Sequence, residues 1–280
     1  TSQNFTGKLG QSDFHINATA HHIFDSVTNS QYQIELKAQN LNFDELLDYK
    51  EEKEIASNSK KVNHDSVFNV FAEPFPKLDL KANIGNMVYH KFKFNQLGFK
   101  VRSTPDHYVY VDTLHGNLAD GNMRMSGYFN ASDKDHIYLS SLLKFNNVDI
   151  DQLFYKFDNF GQDYMLSENL HGKLTATINS KVRMHPDLTP YLEESTAHID
   201  ARVENGQIVN YSPLHAMSEY FGDKDLDQVR FGELINTFDV KEGILSIPSM
   251  TINSTLGFMD MSGKQSATDD MKMDYTMRVP

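Results

Sequence analysis

The chain has 280 residues, with 38 Asp and Glu against 26 Lys and Arg for a net charge of −12, and it contains neither cysteine nor tryptophan. That balance argues against a nucleic-acid backbone as partner, which needs clustered cations, and against a broad adhesive face for anionic headgroups. The missing cysteine rules out a disulfide framework, a Cys-based zinc site and a thiol nucleophile, while 39% apolar content fits a globular chain with a core of its own.

No apolar run reaches the 18 or so residues of a membrane-crossing helix, and no signal peptide begins the chain. It opens mid-strand at Phe5-Thr6-Gly7-Lys8-Leu9 and stops just after a strand at Met277-Arg278-Val279. We therefore expect both ends to be cuts in a longer protein, with any targeting or anchoring segment outside it. Phe14, Ile16 and Ala18 alternate with polar residues, as do Tyr32, Ile34, Leu36 and Ala38. Period two predicts strands with one apolar and one wet face. Asn42 to Lys50 reads as a short helix with Asn42 as N-cap and acids in its first turn. Residues 51–65 are charged and polar and predict a loop. Val67 to Pro76 is apolar but punctuated by Pro74 and Pro76, at best a bent or edge strand.

Clean alternation returns with Leu78, Leu80, Ala82 and Ile84, then Phe92 and Phe94, then Leu97, Phe99 and Val101, then Tyr108 to Val111. Breaks are expected at Ile84-Gly85-Asn86, Gln96-Leu97-Gly98 and Thr104-Pro105-Asp106. Further strands follow to Phe145, and Asp149 to Phe157 is a second short helix. Residues 38–49 (AQNLNFDELLDY) resemble residues 145–156 (FNNVDIDQLFYK), 107 positions on. Each helix follows a series opening with apolar-x-Gly-x-Leu, at Phe5 to Leu9 and Leu114 to Leu118, and a third such opening stands at Leu170 to Leu174. The pattern predicts three β units, 1–66, 67–169 and 170–280, laid end to end as one elongated domain, each burying its apolar face on its neighbour.

The last third alternates most clearly: Leu174, Ala176, Ile178; Ile199, Ala201, Val203; Leu245, Ile247; Met250, Ile252. Glu204-Asn205-Gly206 and Lys241-Glu242-Gly243 read as hairpin turns. Ser212-Pro213 opens a short helix, with Ser212 as N-cap and Pro213 at the first position. The segments GKLTATI, AHIDARVENGQIVNYSPLHAMSEYF and VRFGELINTFDVKEGILSIPSMTINSTLGFMDMSG resemble the C-terminal region of the AsmA-like family in the order and spacing of strand, Gly-marked turn, short helices and the closing F-x-V-x-x-G-x-L-x-I run. The resemblance covers about 110 residues and carries no catalytic signature. It implies a β groove in the envelope of a diderm bacterium, anchored at one membrane and concerned with moving or balancing lipids.

No sequence motif points to catalysis or metal binding. His21-His22 on a strand point to opposite faces; Asp133-Lys134-Asp135-His136 and the Asp223, Asp225, Asp227 run read as solvated loops. There is no H-E-x-x-H, G-x-S-x-G or Gly-rich phosphate loop. The expected fold is mainly β, a repeat-built curved antiparallel sheet forming a groove or open sandwich with a few short capping helices. The expected function is non-enzymatic, needing neither cofactor nor metal. Acyl chains of phospholipid or another lipid lie on an apolar stripe drawn from Leu80, Ile84, Phe92, Phe94, Phe99, Val101, Ile178, Ile199, Val203, Ile247 and Ile252. Other envelope proteins are expected partners and nucleic acid is not; membrane attachment runs through a segment outside the chain, in the periplasm or cell envelope. Two alternatives remain open at this point: a closed β scaffold of an envelope complex, and a carbohydrate-active protein, against which the absence of tryptophan counts.

Overall fold

A computed structural model describes residues 1–22, 29–47, 69–90, 92–157, 166–216, 218–266 and 273–278. The protein is mainly β. Fourteen described strands form one sheet in sequence order: β1 (Ser2–Leu9), β2 (Ser12–His21), β3 (Gln31–Asn42), β4 (Lys77–Tyr89), β5 (Phe92–Thr104), β6 (Tyr108–Leu118), β7 (Gly121–Asn130), β8 (Ile137–Asp149), β9 (Leu170–Met184), β10 (Pro190–Val209), β11 (Gln228–Lys241), β12 (Ile244–Ser254), β13 (Gly257–Ser266) and β14 (Met273–Arg278). The sheet is open, with β1 and β14 at its edges. Among the described residues, three short α-helices, α1 (Phe43–Leu46), α2 (Ile150–Lys156) and α3 (Ser212–His215), and a 3-10 turn at Ser218–Tyr220 interrupt the series. The chain folds into two compact units. One takes Thr1–Asn117, Arg124–Ser141 and Lys181–Tyr191; the other takes Leu118–Met123, Leu142–Ser180 and Leu192–Pro280.

Tight turns join several of the neighbours. Ala119 and Asp120 both have positive φ (48° and 55°), as do Glu242 and Gly243 (54° and 69°). Two consecutive left-handed residues match the twist of the strands they join, so β6 to β7 and β11 to β12 are two-residue hairpins. Pro105, Asp106 and His107 make the expected break after β5, with His107 at φ 62°. One described joint is different in kind. β3 and β4 run parallel, from Gln31 opposite Lys77 to Asn42 opposite Val88, in a sheet expected to be antiparallel throughout.

Several expected breaks are instead places where a strand runs on. Gly85 lies inside β4, and Gln96 to Gly98 inside β5, where the register to β6 slips. Asn205-Gly206 is not a hairpin: β10 is continuous, Asn205 takes φ 53° within it, and Gly206 sits opposite Phe231. The Phe231 ring lies over Gly206, in the space a Cβ would need. Pro248-Ser249 likewise falls in a register shift inside β12 rather than between strands. Residues 69–76 form no strand. They lay Val70, Phe71 and Phe75 on Ala131, Ile137, Phe129 and Met184, a small core of the first unit. The expected loop at 51–65 lies outside the described residues.

The starts of α1 and α2 fall where the sequence predicts them. Asn42 Oδ1 accepts the Glu45 N–H at 3.2 Å and starts α1. α2 begins after Asp149 and buries Ile150 and Leu153. α3 begins one residue earlier than expected, with Tyr211 as its cap residue and Ser212 already helical. α1 and α2 match in more than sequence. Asp44 of α1 accepts from the His90 N–H and meets its ring at 3.0 Å, and Glu45 accepts from Gln11 N–H in the β1–β2 turn at 2.9 Å. At the equivalent positions of α2, Asp151 meets the His171 ring at 3.4 Å and Gln152 donates to Asp120 in the β6–β7 turn at 2.7 Å. The third Gly-x-Leu opening does not share this layout, because β9 runs on past Leu174 to Met184.

Because Phe231 occupies the side-chain space of Gly206, Gly206→Val should lower stability by roughly 1–3 kcal/mol through overpacking. Gly232, with open space around it, should accept Ala with a much smaller change, both read from urea unfolding midpoints.

Candidate functional site

In the first unit the registers place apolar residues in transverse rows on one side of the sheet. Ala18, Ile34, Leu80, Val101 and Val111 stand opposite one another from β2 to β6. Phe5, Ile16, Leu36, Ala82, Phe99 and Leu114 make the next row, from β1 to β6. A third row contains Ala20, Tyr32, Leu78, Ser103 and Val109. Cross-strand neighbours on one face are the unit of sheet stabilisation, so these rows both hold the strands together and define a surface.

That surface is closed at one end by α1. Phe43 and Leu46 pack on a buried cluster of Leu41, Ala82, Ile84 and Leu97, joined by Met87, Phe94 and Phe99. The two carboxylates of α1, holding backbone N–H groups on either side, fix it there. The apolar parity also slips at this end: Ala38 gives way to Leu41 on β3, Ile84 to Met87 on β4 and Leu97 to Phe94 on β5, with Gln96 at φ 53°. At the other end, Ser103 is buried and its hydroxyl donates to the Pro76 carbonyl at 2.6 Å.

Of the candidates from the sequence, Leu80, Ile84, Phe92, Phe94, Phe99 and Val101 belong to this unit. Ile84 is buried beneath α1 at 3% exposure, and the other five are half-buried. Leu80 faces Val101 directly, whereas Phe92 pairs with Tyr89 and stacks on Phe94 at 6.1 Å between centroids. In the second unit, Ile252 lies in the core with Leu214, Phe221, Leu226, Val229, Phe231, Leu256 and Met259, and Val203 packs against it. Ile199 stands opposite Phe238, Val203 opposite Leu234 and Ile247 opposite Gly263. Ile178, Ile199, Val203 and Ile247 are half-buried. Thus nine of the eleven candidates keep part of their surface uncovered, and two lie beneath helical segments. Ile34, Leu36 and Val111 also stand in the rows of the first unit but were not among the candidates, although the same alternation marks them; Leu114 joins its row through the register shift between β5 and β6.

The charged groups are tied into the surface network. Asp133 accepts from the Asp135 N–H and meets the His136 ring, a self-contained turn in which these bonds lower its pKa. Asp225 Oδ1 accepts the N–H groups of Asp227 and Gln228 at the entry to β11. Arg102 makes a two-bond contact with Asp112 at 2.8 and 2.7 Å, which lowers the pKa of that carboxyl. Among the described residues, no three His, Asp or Glu side chains converge as a metal site, and no helix is long and apolar enough to cross a membrane.

No family model, curated protein or solved structure matches this chain.

Two outcomes follow from the polar contacts. Asn42→Ala removes the cap of α1 and should cost about 1 kcal/mol in urea unfolding. The hydrogen bond that His198 Nδ1 donates to the Asp239 carboxylate at 2.7 Å, with the charge of Asp239 and Asp200, raises the pKa of His198. A raised folded pKa gives stability that is present below the unfolded His value and lost as pH rises through the folded one. Asp239→Asn should therefore move the His198 NMR titration midpoint down toward an ordinary histidine.

Proposed function

We propose that this chain is a non-enzymatic, AsmA-like protein of the bacterial cell envelope, held in the periplasm by a membrane anchor outside the chain, which shelters lipid acyl chains during inter-membrane transport or outer-membrane homeostasis. The observation that carries the proposal is the half-buried state of the apolar row Ala18, Ile34, Leu80, Val101 and Val111 in the first unit. Leu80 and Val101, with Ile34 and Val111 beside them, remain partly uncovered, although such residues gain most from complete burial. An acyl chain laid along them would cover that surface, while its headgroup stays in water.

The magnitude is sufficient. Each buried methylene contributes about 0.8 kcal/mol, so a long acyl chain supplies on the order of 10 kcal/mol before ordering costs are set against it. No proton transfer or nucleophile is required, and the contact is non-directional, which suits a carrier of lipids with differing chains. The alternative, a closed scaffold in an envelope complex, draws on Ile84 and Ile252, which lie in cores beneath α1 and the α3 region and are already covered.

The test is native mass spectrometry of the chain exported to a bacterial periplasm and purified without detergent, followed by lipid extraction. Co-purifying phospholipid is expected, and Leu80→Asp or Val101→Asp should each remove most of it while the far-ultraviolet circular dichroism stays unchanged. A lipid-free mass, together with no uptake of a fluorescent fatty acid, would turn the assignment to the scaffold.

A further inference from the structure

The opposite, wet face of the first unit carries a separate feature. One transverse row runs Thr6, His15, Lys37, Asn83, Gly98 and His115, each opposite the next from β1 to β6. Four interstrand steps separate His15 from His115, about 19 Å at the usual strand spacing. A cleft of about 610 Å3 lies along this row. It exists because two strands present glycine there. A Cβ on Gly85 would collide with the Gln39 carbonyl and amide, and one on Gly98 with the His115 ring. The amide and the imidazole thus lie across the glycines and pave the floor.

The polar groups of the cleft are unevenly committed. Asp13 accepts the N–H groups of Gln39 and Asn40 at 3.0 and 2.8 Å, which keep its pKa low and its carboxylate ionised. Lys37 is paired with Glu35 at 3.4 Å, His15 bonds Thr6 Oγ1 at 2.7 Å, and Gln96 accepts from Asn117 at 3.3 Å. The side chains of Gln39, Asn83 and His115 have no partner among the described residues and open onto the cleft.

We infer that this trough binds a neutral oligosaccharide lying across the strands. Amides and imidazoles offer donors and acceptors together, which is what a chain of hydroxyl groups requires. Among the described residues of the lining, the Lys37 ammonium is offset by the ionised Asp13 carboxylate and meets Glu35, so the lining has no net positive charge to hold an anion. An acyl chain laid here would cover the Gln39, Asn83 and His115 side chains without answering their hydrogen-bonding groups, and the trough is long and open, suited to an extended ligand. The site is independent of lipid binding, since the apolar rows occupy the other side of the same strands.

The experiment screens the purified chain against an array of neutral gluco-, manno- and N-acetylglucosamine oligomers, with the best binder followed by calorimetry and by NMR of the histidine rings. Saturable binding that shifts His15 and His115 and leaves His198 in place is expected. Asn83→Leu and His115→Ala should each weaken it roughly tenfold, the value of one or two hydrogen bonds, whereas Leu80→Asp on the apolar side should leave it intact. Absence of saturable binding to every oligomer overturns the inference. So does binding undiminished in both variants, or binding equalled by inorganic polyphosphate and abolished by salt.

Discussion

Cross-strand register is the constraint on which everything else in this protein depends. Side chains alternate with period two, so a slip of one residue would carry every apolar group of a strand to the wet side. The slip is blocked by contacts of high geometric demand: Phe231 over Gly206, His115 over Gly98, the Asp13 carboxylate on two neighbouring N–H groups, and the paired left-handed residues of the two-residue turns. With register fixed, an apolar surface and a polar trough arise on opposite sides of the same strands, and neither needs a residue placed for it alone.

The short helices serve that constraint rather than forming a layer. α1 has only four residues, too few to be stable by its own propensity. It persists because Asn42 caps it, Phe43 and Leu46 enter the core, and Asp44 and Glu45 hold the turns on either side. α2 repeats the device with Asp151 on His171 and Gln152 on Asp120. Matching contacts at matching positions are a physical sign of an internal repeat, since they concern the function of each residue and not merely its type. The repeat is not carried through in topology. β3 continues into a parallel neighbour, whereas Lys173 on Asp149 and Asn147 on Thr175 mark β8 and β9 as antiparallel.

Much of the fold was legible in the sequence because period-two patterning is strong in these strands. The alternation of Leu78 to Ile84, the cap at Asn42 and the Glu242-Gly243 turn each have one physical meaning. Glycine has two, and there the sequence was ambiguous: Gly243 ends a strand, while Gly206, Gly98 and Gly85 lie within strands, beneath a neighbour's side chain. The difference resides in a residue of another strand, which local pattern does not reveal. The same reason hid the polar trough. Gln39, Asn83 and His115 belong to three strands and meet only through register, whereas the apolar candidates each advertise themselves by their own strand's alternation. The parallel pairing of β3 with β4 was likewise beyond local signals, since either direction accepts the same alternating residues.

That parallel joint has a kinetic consequence. At every rung its partners are 46 positions apart in the chain, while a two-residue hairpin such as β6–β7 closes on itself. Loop closure must be met before its contacts reward it, so hairpins form early and β3 finds β4 late. Until then, two edges that are interior in the finished sheet stand open, each able to pair with the wrong strand of the same or another molecule. The joint is thus where the efficiency of folding, rather than the stability of the folded state, is decided.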